Sequence, residues 1–494
     1  MRFLFYFLSA IIIIFIINTT VSAHGIVDKK NNTTLQFGGT ANDYMAYREW
    51  SSYWKYQNPL QVMKNNGFNW IRVGVLTTSS QLLAATPYQN WPSLGWQNEF
   101  WCSREFAERV LHEAAQYNLN QSVFFYFSDR ATHAGQQDGP AEWLPFNLEQ
   151  TAAAIEHNCY ETANYFKMKG LNVKIYEMGN EIEYGICSYY PGGKITQWNG
   201  QGAYLNYLRD SVWSKEVVLL KAAIRGTKRA DSTAQIKLHI SSVGWFEGIH
   251  QAFYQYIIDN GVPFDFIGLS YYTSGYPPGS PSPTQVTFGN FLQLCSLLTD
   301  QTGKKIIISE FSYPSSYVSD MGPIYPGYPF TEQGQALYVR DFIRICKPDT
   351  NIYGIFYFYP DYQIAQYSIS EVLGSYGLFH NDSTYKQAMT AIKDELLNVD
   401  GQHIASPLNF HLYQNYPNPF NPKTTISFNI PTSEFVTVKI INILGEEVET
   451  LIEEHRATGE YKIEWHSENF PSGVYFYQMR SGKFVETKKL ILLK

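Results

Sequence analysis

The two residues of this chain best suited to do chemistry are Glu181 and Glu310. Each lies at the end of a short apolar run typical of a β-strand, the first beginning at Val173 and the second at Lys305. Hydrolysis of a glycosidic bond uses two such carboxyl groups, because one protonates the leaving oxygen while the other attacks the anomeric carbon or activates water. If both strand ends open at one barrel mouth, the pair predicts glycoside hydrolysis.

A glutamate at a strand end is more often a solvent-exposed residue or one half of an ion pair. The residues before Glu181 weaken that interpretation, because Gly179 is small and the Asn180 amide can bind a sugar hydroxyl beside the acid. A small residue, an amide and an acid at one strand end form a coherent catalytic set.

The elements that must position these acids alternate between short β-rich runs and longer helical patterns, which is typical of a parallel β/α architecture. Strand candidates lie at residues 35–39, 70–75, 121–127, 173–178, 236–240, 264–270, 305–309 and 353–358. Helical patterns lie between them at residues 105–117, 148–169, 205–227, 246–260, 288–302 and 331–345. Eight strands close a (β/α)8 TIM barrel, so the predicted fold class is α/β, with both acids at the face that carries active sites.

The start of the chain is typical of an export signal. Residues 1–23 contain a charged start at Arg2, an apolar run that ends at Ile17 and the cleavage-like sequence Val21-Ser22-Ala23. The apolar run is shorter than the roughly 20 residues of a membrane span, and no later segment of that length lacks charges. The sequence predicts an exported chain with no stable membrane span.

The remaining chain is predicted to contain two domains. Residues 24–397 form the barrel, and the polar, Pro- and Asn-rich residues 398–412 form a linker. Residues 413–494 are predicted to be a small all-β, immunoglobulin-like sandwich. The prediction depends on alternating runs at residues 424–430, 436–443, 461–465, 474–479 and 489–493.

Composition narrows the classes of ligand. A formal net charge of -7 without a block of Lys and Arg argues against nucleic-acid binding. Aromatic residues make up 16% of the chain, which fits a neutral carbohydrate because sugar faces stack on aromatic rings, although a large aromatic core is the alternative. Five widely spaced cysteines contain no Cys-x-x-Cys zinc pattern, and their odd number leaves at least one thiol outside a disulfide.

Several motifs resemble glycoside hydrolase family 53, the arabinogalactan endo-β-1,4-galactanases. The Asn-Glu pair followed by a later glutamate is shared by a whole clan of retaining barrels, so the motifs of strands three and six discriminate. The motifs are Ser128-Asp129, Gly135-Gln136-Gln137 and Pro140-Ala-Glu-Trp143 after strand three, Gly179-Asn-Glu-Ile-x-x-Gly185, Asp265-Phe-Ile-Gly-Leu-Ser-Tyr-Tyr272, and Ser309-Glu-Phe-Ser-Tyr-Pro314.

The resemblance implies a role for each residue at the predicted mouth. Glu181 would be the acid/base and Glu310 the nucleophile of a retaining enzyme, with carboxyl groups about 5 to 5.5 Å apart. Asn180 would bond the 2-hydroxyl of the sugar, and Arg72 would hold Glu310 ionised. Further substrate-binding residues would be Asp129, His239, Trp245, Tyr272 and Phe358, although a histidine inside a strand, such as His239, is as often a core residue.

Three positions depart from the family pattern. Gly74 replaces a second arginine on strand two, Tyr126 replaces a histidine on strand three, and Phe358 replaces a tryptophan on strand eight. Phe358 keeps an apolar face but loses the indole donor. The preferred sugar therefore stays open.

The C-terminal region resembles the sorting domain of the type IX secretion system. The resemblance implies export through the periplasm of a two-membrane bacterium, to the cell surface or beyond, with the secretion machinery as a partner. A fibronectin-like or carbohydrate-binding module is the alternative. The motifs are Tyr416-Pro-Asn-Pro-Phe-Asn-Pro422, Ile441-Asn-Ile-Leu-Gly-Glu-Glu-Val448, Gly459-Glu-Tyr-Lys-Ile-Glu-Trp465, Pro471-Ser-Gly-Val-Tyr-Phe-Tyr477 and the ending Lys488 to Lys494.

Together these features predict a secreted, retaining endo-β-1,4-galactanase that acts on the galactan side chains of pectin or type I arabinogalactan. The alternatives are a clan relative that cleaves another β-glycan, such as mannan, glucan or xylan, and a non-catalytic glycan-binding surface protein. No cofactor or metal is predicted. Some family members hold calcium in a barrel loop, but the sequence contains no EF-hand run of oxygen ligands.

Overall fold

A computed structural model of the chain describes residues 35–40, 58–77, 102–129, 137–189, 201–241, 248–272, 288–316, 328–358, 360, 375–380, 384–397, 410–430, 434–456, 459–482 and 484–494. The predicted export signal, Trp245 and most of the predicted linker lie outside these residues. The described part forms a closed barrel followed by two antiparallel sheets.

The first eight strands close into one parallel barrel. Each strand pairs with its successor, and β1 pairs with β8 to complete the ring. The strands are β1 (Gln36–Thr40), β2 (Trp70–Val75), β3 (Asn120–Phe125), β4 (Val173–Glu177), β5 (Gln235–Ile240), β6 (Phe266–Tyr271), β7 (Lys305–Phe311) and β8 (Ile352–Phe358). The predicted TIM barrel is confirmed, and each strand end lies within two residues of its predicted position.

Helices follow the strands along the chain. They are α1 (Pro59–Asn65), α2 (Arg104–Gln116), α3 (Leu148–Met168), α4 (Gln201–Tyr207), α5 (Ser214–Ala230), α6 (Ile249–Asp259), α7 (Phe288–Thr302), α8 (Glu332–Cys346) and α9 (Gln387–Leu397). The sequence does not predict α1 or α9. It predicts one helix at residues 205–227, where the structure has α4, a π-helical segment at Leu208–Trp213 and α5.

The start of α3 and its contact with α5 show how local sequence builds this outer layer. The Asn147 side chain accepts a bond from the Gln150 amide at 2.9 Å, and the Gln150 side chain accepts one from the Asn147 amide at 3.0 Å, which is a capping box. Further along, Gly226 lets α5 approach α3 closely. A Cβ at that position would lie 2.1 Å from the Glu156 carbonyl oxygen, so a side chain there would force the helices apart.

Inside the barrel, an apolar layer lies next to a charged layer. The apolar layer is a separate buried cluster of Trp70, Ile175, Phe266, Ile307 and Phe356. Side chains two positions apart along a strand face the same side. Arg72 and Glu177 therefore occupy the next inward layer after Trp70 and Ile175, and both of their side chains are fully buried.

The C-terminal strands form an all-β sandwich, as predicted. One sheet has the order β13-β10-β9 and the other β12-β11-β14-β15. The strands are β9 (His411–Leu412), β10 (Lys423–Ile430), β11 (Glu434–Ile441), β12 (Glu447–Arg456), β13 (Gly459–His466), β14 (Gly473–Ser481) and β15 (Phe484–Leu492).

Two strands of the sandwich differ from the sequence prediction. β9 lies inside the predicted linker at residues 398–412 and pairs with β10, so the sandwich starts before Tyr413. The sequence does not predict β12, because Ile452 is the one buried residue of that strand and the alternating pattern is therefore weak. Trp465 anchors the core, and its indole donates to Glu449 Oε2 at 2.8 Å.

Two further observations concern cysteines and membranes. No disulfide joins the five cysteines, all of which are buried. Among the helices that the structure describes, none is long and apolar enough to cross a membrane.

Candidate active site

Arg72, on β2, connects the two sides of the barrel mouth. Its guanidinium makes a bidentate pair with Glu177 of β4, with Nε 3.0 Å from Oε2 and Nη2 2.6 Å from Oε1. Nη1 donates to Glu310 Oε1 of β7 at 2.9 Å. Burial disfavours the charge of Arg72, but the two carboxylates outweigh burial and raise its pKa. The arginine therefore stays charged and holds two acids at once.

Glu177 is a fully buried acid that the sequence analysis misses. Besides Arg72, it contacts Lys237 Nζ at 2.7 Å and His239 Nδ1 at 2.7 Å, both on β5. Burial opposes its ionisation, but Arg72, Lys237 and His239 hold the pKa of Glu177 well below its usual range. Arg72, Glu177, Lys237, His239 and Glu310 are called the charged floor below.

The charged floor is balanced when its histidine is neutral. Burial lowers the pKa of Lys237 to about 8, against the attraction of Glu177. Burial also lowers the pKa of His239 and so favours the neutral ring, while Glu177 opposes this shift. Near neutral pH, two cations then face Glu177 and Glu310. Buried charges need such pairing, because an unpaired one is costly to remove from water.

Glu310 lies within β7 rather than after it. Its two oxygens accept bonds from Arg72 and from the Tyr272 hydroxyl, each at 2.9 Å. Burial raises the pKa of Glu310, while Arg72 and His239 oppose this shift. The contact with Arg72 is present as expected, but the arginine only partly offsets the effect of burial on the pKa of Glu310.

Glu181 lies in the loop that follows β4. It adopts φ 54°, in the left-handed region that non-glycine residues rarely occupy. The preceding bend needs Gly179 at φ 88°, where a Cβ would lie 2.3 Å from Ile182 Cγ2. The Ser270 hydroxyl, on β6, donates to Glu181 Oε1 at 2.7 Å. Gln137 holds the same bend by donating to the Glu181 carbonyl at 3.1 Å.

Asn180 is oriented by the charged floor. Its Oδ1 accepts from Arg72 Nη2 at 3.0 Å and lies 3.2 Å from His239 Nδ1. His239 Nε2 lies 2.9 Å from the Ser270 hydroxyl, so the histidine connects the floor to Glu181. The structure thus brings together five of the predicted site residues: Arg72, Asn180, Glu181, His239 and Glu310.

The remaining predicted residues have different positions. Tyr272 joins the site through Glu310, and its ring meets Phe358 edge to face with centroids 5.9 Å apart. Asp129 Oδ2 accepts from the Ala141 amide at 2.7 Å, so this carboxylate fixes a loop. Trp245 lies outside the described residues.

Two of the departures from the family pattern form one steric unit. Phe124 and Tyr126 are buried on the β3 side of the mouth, with ring centroids 4.8 Å apart. A Cβ on Gly74 would lie 2.6 Å from Phe124 Cζ and 2.7 Å from Tyr126 Cε2. Phe124 also covers the Arg72 guanidinium at 3.8 Å. Gly74, Phe124 and Tyr126 are called the aromatic wall below.

A sequence signal for the missed residues exists in hindsight. Glu177 and Lys237 are charged residues within mostly buried strands, and Lys237 precedes the inward-facing His239 by two positions. Period-two spacing places Lys237 and His239 on the same inner face. Among the described residues, no group of three or more His, Cys, Asp or Glu side chains is arranged to hold a metal ion.

The arrangement offers two carboxyl groups in different settings. Glu310 is fixed by a cation and a phenol, as suits a carboxylate that attacks carbon. Glu181 contacts a serine hydroxyl, which can donate to a carboxylate or accept from a carboxylic acid, as suits a group that gains and loses a proton.

Comparison with known proteins agrees with this geometry. The profile of glycosyl hydrolase family 53 matches residues 42–406, and that of the secretion system C-terminal sorting domain matches residues 414–493. The GH53 catalytic domain of Ignisphaera aggregans superposes with a TM-score of 0.58 at 21% identity, covering 75% of this chain and 98% of that chain. At this identity the likeness concerns the fold.

Two curated proteins match part of the chain. An arabinogalactan endo-beta-1,4-galactanase of Humicola insolens is 24% identical over 267 residues, which is 51% of this chain and 71% of that protein. A Niallia circulans protein, named as an uncharacterized protein in the bgaB 5'region, is 25% identical over 255 residues, which is 50% of this chain and 64% of that protein. The second match thus spans less than two thirds of its relative.

Proposed function

Because the chain belongs to glycosyl hydrolase family 53, we propose that it is a secreted, retaining endo-β-1,4-galactanase that hydrolyses galactan side chains of pectin or type I arabinogalactan. The observation that carries the proposal is the pair Glu181 and Glu310 at one barrel mouth, each held by different polar groups. The Humicola insolens relative supports the substrate by its name.

Glu310 is the proposed nucleophile. One of its oxygens forms a bond to the anomeric carbon while the bond to the leaving sugar breaks, which gives a covalent glycosyl-enzyme. The charge of Glu310 is lost in this step, and Arg72 would then lack a partner if Glu310 were its only one. Glu177 keeps the guanidinium paired throughout, because its bidentate contact does not involve the reacting oxygen.

Glu181 is the proposed acid/base. It gives its proton to the leaving oxygen in the first step. In the second it takes a proton from the water that attacks the anomeric carbon, while the bond between that carbon and Glu310 breaks and Glu310 regains its charge. Two displacements at that carbon retain its configuration. The Ser270 hydroxyl can stay in contact with Glu181 in both protonation states, by reversing the direction of the hydrogen bond.

Asn180 is proposed to bind the sugar beside the acid. Arg72 holds Oδ1 of the amide, and this contact sets the plane of the side chain. The amide nitrogen would then donate to the 2-hydroxyl, a bond that strengthens as charge develops at the neighbouring carbon. Tyr272 and Phe358 are proposed to offer the apolar surface against which a sugar ring stacks.

Export is proposed to follow from the two ends of the chain. The sorting-domain match at residues 414–493 supports recognition by the type IX secretion machinery, with the protein released or kept at the cell surface. The predicted signal at residues 1–23 would supply entry to the periplasm.

A second candidate is cleavage of a different β-glycan by the same residues. The observation that favours it is the aromatic wall, where Phe124 and Tyr126 fill the space that a longer side chain at Gly74 would need. The catalytic acids would be unaffected, while the surface that recognises the sugar would differ.

The test measures release of reducing sugar from unbranched β-1,4-galactan, arabinogalactan, mannan, xylan and cellulose by the wild type, Glu181→Gln and Glu310→Gln. Hydrolysis of galactan alone, lost in both variants, supports the first proposal, and hydrolysis of another glycan supports the second. NMR of the first anomer released checks retention. A folded wild type that cleaves none of these glycans would instead indicate a binding protein.

A further inference from the structure

Glu183 is a buried acid two residues beyond Glu181 that the reaction described above does not use. Glu183 is 1% exposed, and both of its carboxyl oxygens contact Ser241, the residue that directly follows β5. The Ser241 amide donates to Oε2 at 2.9 Å, and the Ser241 hydroxyl contacts Oε1. A side chain after β4 is thus attached to the end of the next strand.

This attachment continues the main-chain pairing of the loop with β5. The Met178 amide donates to the Lys237 carbonyl, and the Ile182 amide donates to the His239 carbonyl, each at 2.9 Å. At Ser241 the strand has ended. The Glu183 carboxyl, instead of a backbone carbonyl, accepts the hydrogen bond of the Ser241 amide.

The bend fixed in this way carries Glu181 in its left-handed conformation. Such a backbone is less stable than an extended one for any residue with a Cβ, so the surrounding contacts must hold it. The Trp213 indole strengthens the attachment from the helix side by donating to the Glu183 carbonyl at 2.8 Å. Glu183 is therefore placed to determine where the Glu181 carboxyl lies.

The charge of Glu183 is also coupled to Glu181. Burial raises the pKa of Glu183 to about 7, the charge of Glu181 adds to the shift, and the bonds from Ser241 oppose it. Glu183 thus changes charge near neutral pH. The other titratable groups that interact with its charge are Glu216 on α5, Tyr204 on α4, Tyr254 on α6 and Tyr184 in its own loop. His250 on α6 contacts the carbonyl of Ser241.

These neighbours stay uncharged while Glu183 titrates. Burial raises the pKa of Glu216 well above its usual range, and Glu183 adds to this shift. Burial lowers the pKa of His250 to about 4, so that ring is neutral. The tyrosines are buried phenols with raised pKa values. Near neutral pH, Glu183 is the group of this set whose charge changes.

We propose that Glu183, held by Ser241, is a positioning residue for Glu181 that extends the activity of the acid to higher pH through its own charge. The physical reason is repulsion between the two carboxylates, the same interaction by which the charge of Glu181 raises the pKa of Glu183. The inference rests on the proposed glycosidase activity.

The test compares kcat/KM against pH, from about pH 5 to about pH 9, for the full-length wild type, Glu183→Gln and Glu216→Gln on the polysaccharide that the wild type cleaves. Glutamine can keep both contacts with Ser241 while it removes the charge. We expect the alkaline limit of kcat/KM to lie about one pH unit lower in Glu183→Gln than in the wild type, which is the size of effect that one nearby charge has. Glu216→Gln, which replaces an acid that is already uncharged, should keep the wild-type limit.

A second substrate separates this effect from a general loss of structure. An aryl glycoside with a dinitrophenolate leaving group needs no proton from Glu181, so its kcat/KM should show no such shift. Ser241→Ala tests the attachment if Glu183→Gln does not fold. It should lower kcat on the polysaccharide while KM stays unchanged, because the acid is displaced and the sugar contacts remain.

The outcomes are distinct. A wild type that is inactive on every glycan overturns the proposed function. If the wild type is active but Glu183→Gln has the same alkaline limit, the inference about Glu183 is overturned while the proposed function stands. The same holds if Glu216→Gln moves the limit as far as Glu183→Gln does. Wild-type kcat in Ser241→Ala would likewise overturn the positioning role.

Discussion

The charged floor and the aromatic wall are adjacent parts of one barrel mouth, joined where Phe124 covers Arg72, yet they respond differently to change. In the floor, Arg72 and Glu177 each serve several partners, so removal of one group leaves others unpaired. In the wall, Phe124 and Tyr126 fill the space beside Gly74. Shared charges thus constrain the floor, whereas shape constrains the wall, and we expect sugar recognition to be easier to alter than the chemistry.

The largest effect should come from Glu310→Gln, in the floor. Loss of the proposed nucleophile would remove the proposed covalent step, so hydrolysis of every glycan should fall by on the order of 10⁴- to 10⁶-fold, comparable with removal of other enzymic nucleophiles. Initial rates on the full panel of glycans measure this. Tyr126→Phe, in the wall, is the matched control and should keep most of the activity. Equal losses in the two variants would abolish the distinction between floor and wall.

The second largest effect should come from Glu177→Gln. The substitution leaves Arg72 and Lys237 buried with one carboxylate between them, so the free energy of unfolding should fall by about 3 to 5 kcal/mol. Chemical denaturation at neutral pH measures it. Adding Lys237→Met to Glu177→Gln should recover part of the lost free energy of unfolding, because Arg72 and Glu310 then remain as one cation and one carboxylate. No recovery would mean that the floor is not a balanced charge network.

A smaller effect is expected from Gly74→Ala in the wall. The new methyl group would lie within 2.7 Å of both aromatic rings, so overpacking should lower the free energy of unfolding by about 1 to 3 kcal/mol. Tyr126→Ala opens space beside it, and the double variant should be less destabilised than the sum of the two changes. Thermal unfolding of the four proteins measures the coupling. Additive losses would show that Gly74 and Tyr126 are not one steric unit.

The smallest effect is expected from Phe358→Trp, at the edge of the mouth. Phe358 is partly exposed and contacts Tyr272 through its ring edge, so the larger indole has room and adds an N–H donor. The ratio of kcat/KM between galactan and a second β-glycan should change by about 0.5 to 1.5 kcal/mol in transition-state binding, the scale of one hydrogen bond, while the free energy of unfolding changes little. An unchanged ratio would remove Phe358 from the residues that select the sugar.

The sequence predicts the barrel well because its strands are short apolar runs that alternate with clear helical patterns. It fails at α1, which is short, and at β12, whose exposed face is charged. At the site, Glu181 and Glu310 are identifiable from their neighbours in sequence. Glu177 and Lys237 are not, because a charged residue in a strand is recognised as part of a site only when its partners are known.

The sequence alone therefore determined the alternation of strands and helices, the two acids at strand ends and the sorting-domain motifs, all of which depend on residues close together in the chain. Only the tertiary structure decided that Arg72 holds Glu177, 105 residues away, while it also contacts Glu310, 238 residues away, as the family resemblance implied. It also decided that Gly74 makes room for Phe124 and Tyr126, and that Ser241 holds Glu183. The physical reason is closure of the barrel, which brings distant strand ends into hydrogen-bonding range and excludes the water that would otherwise weaken their charges.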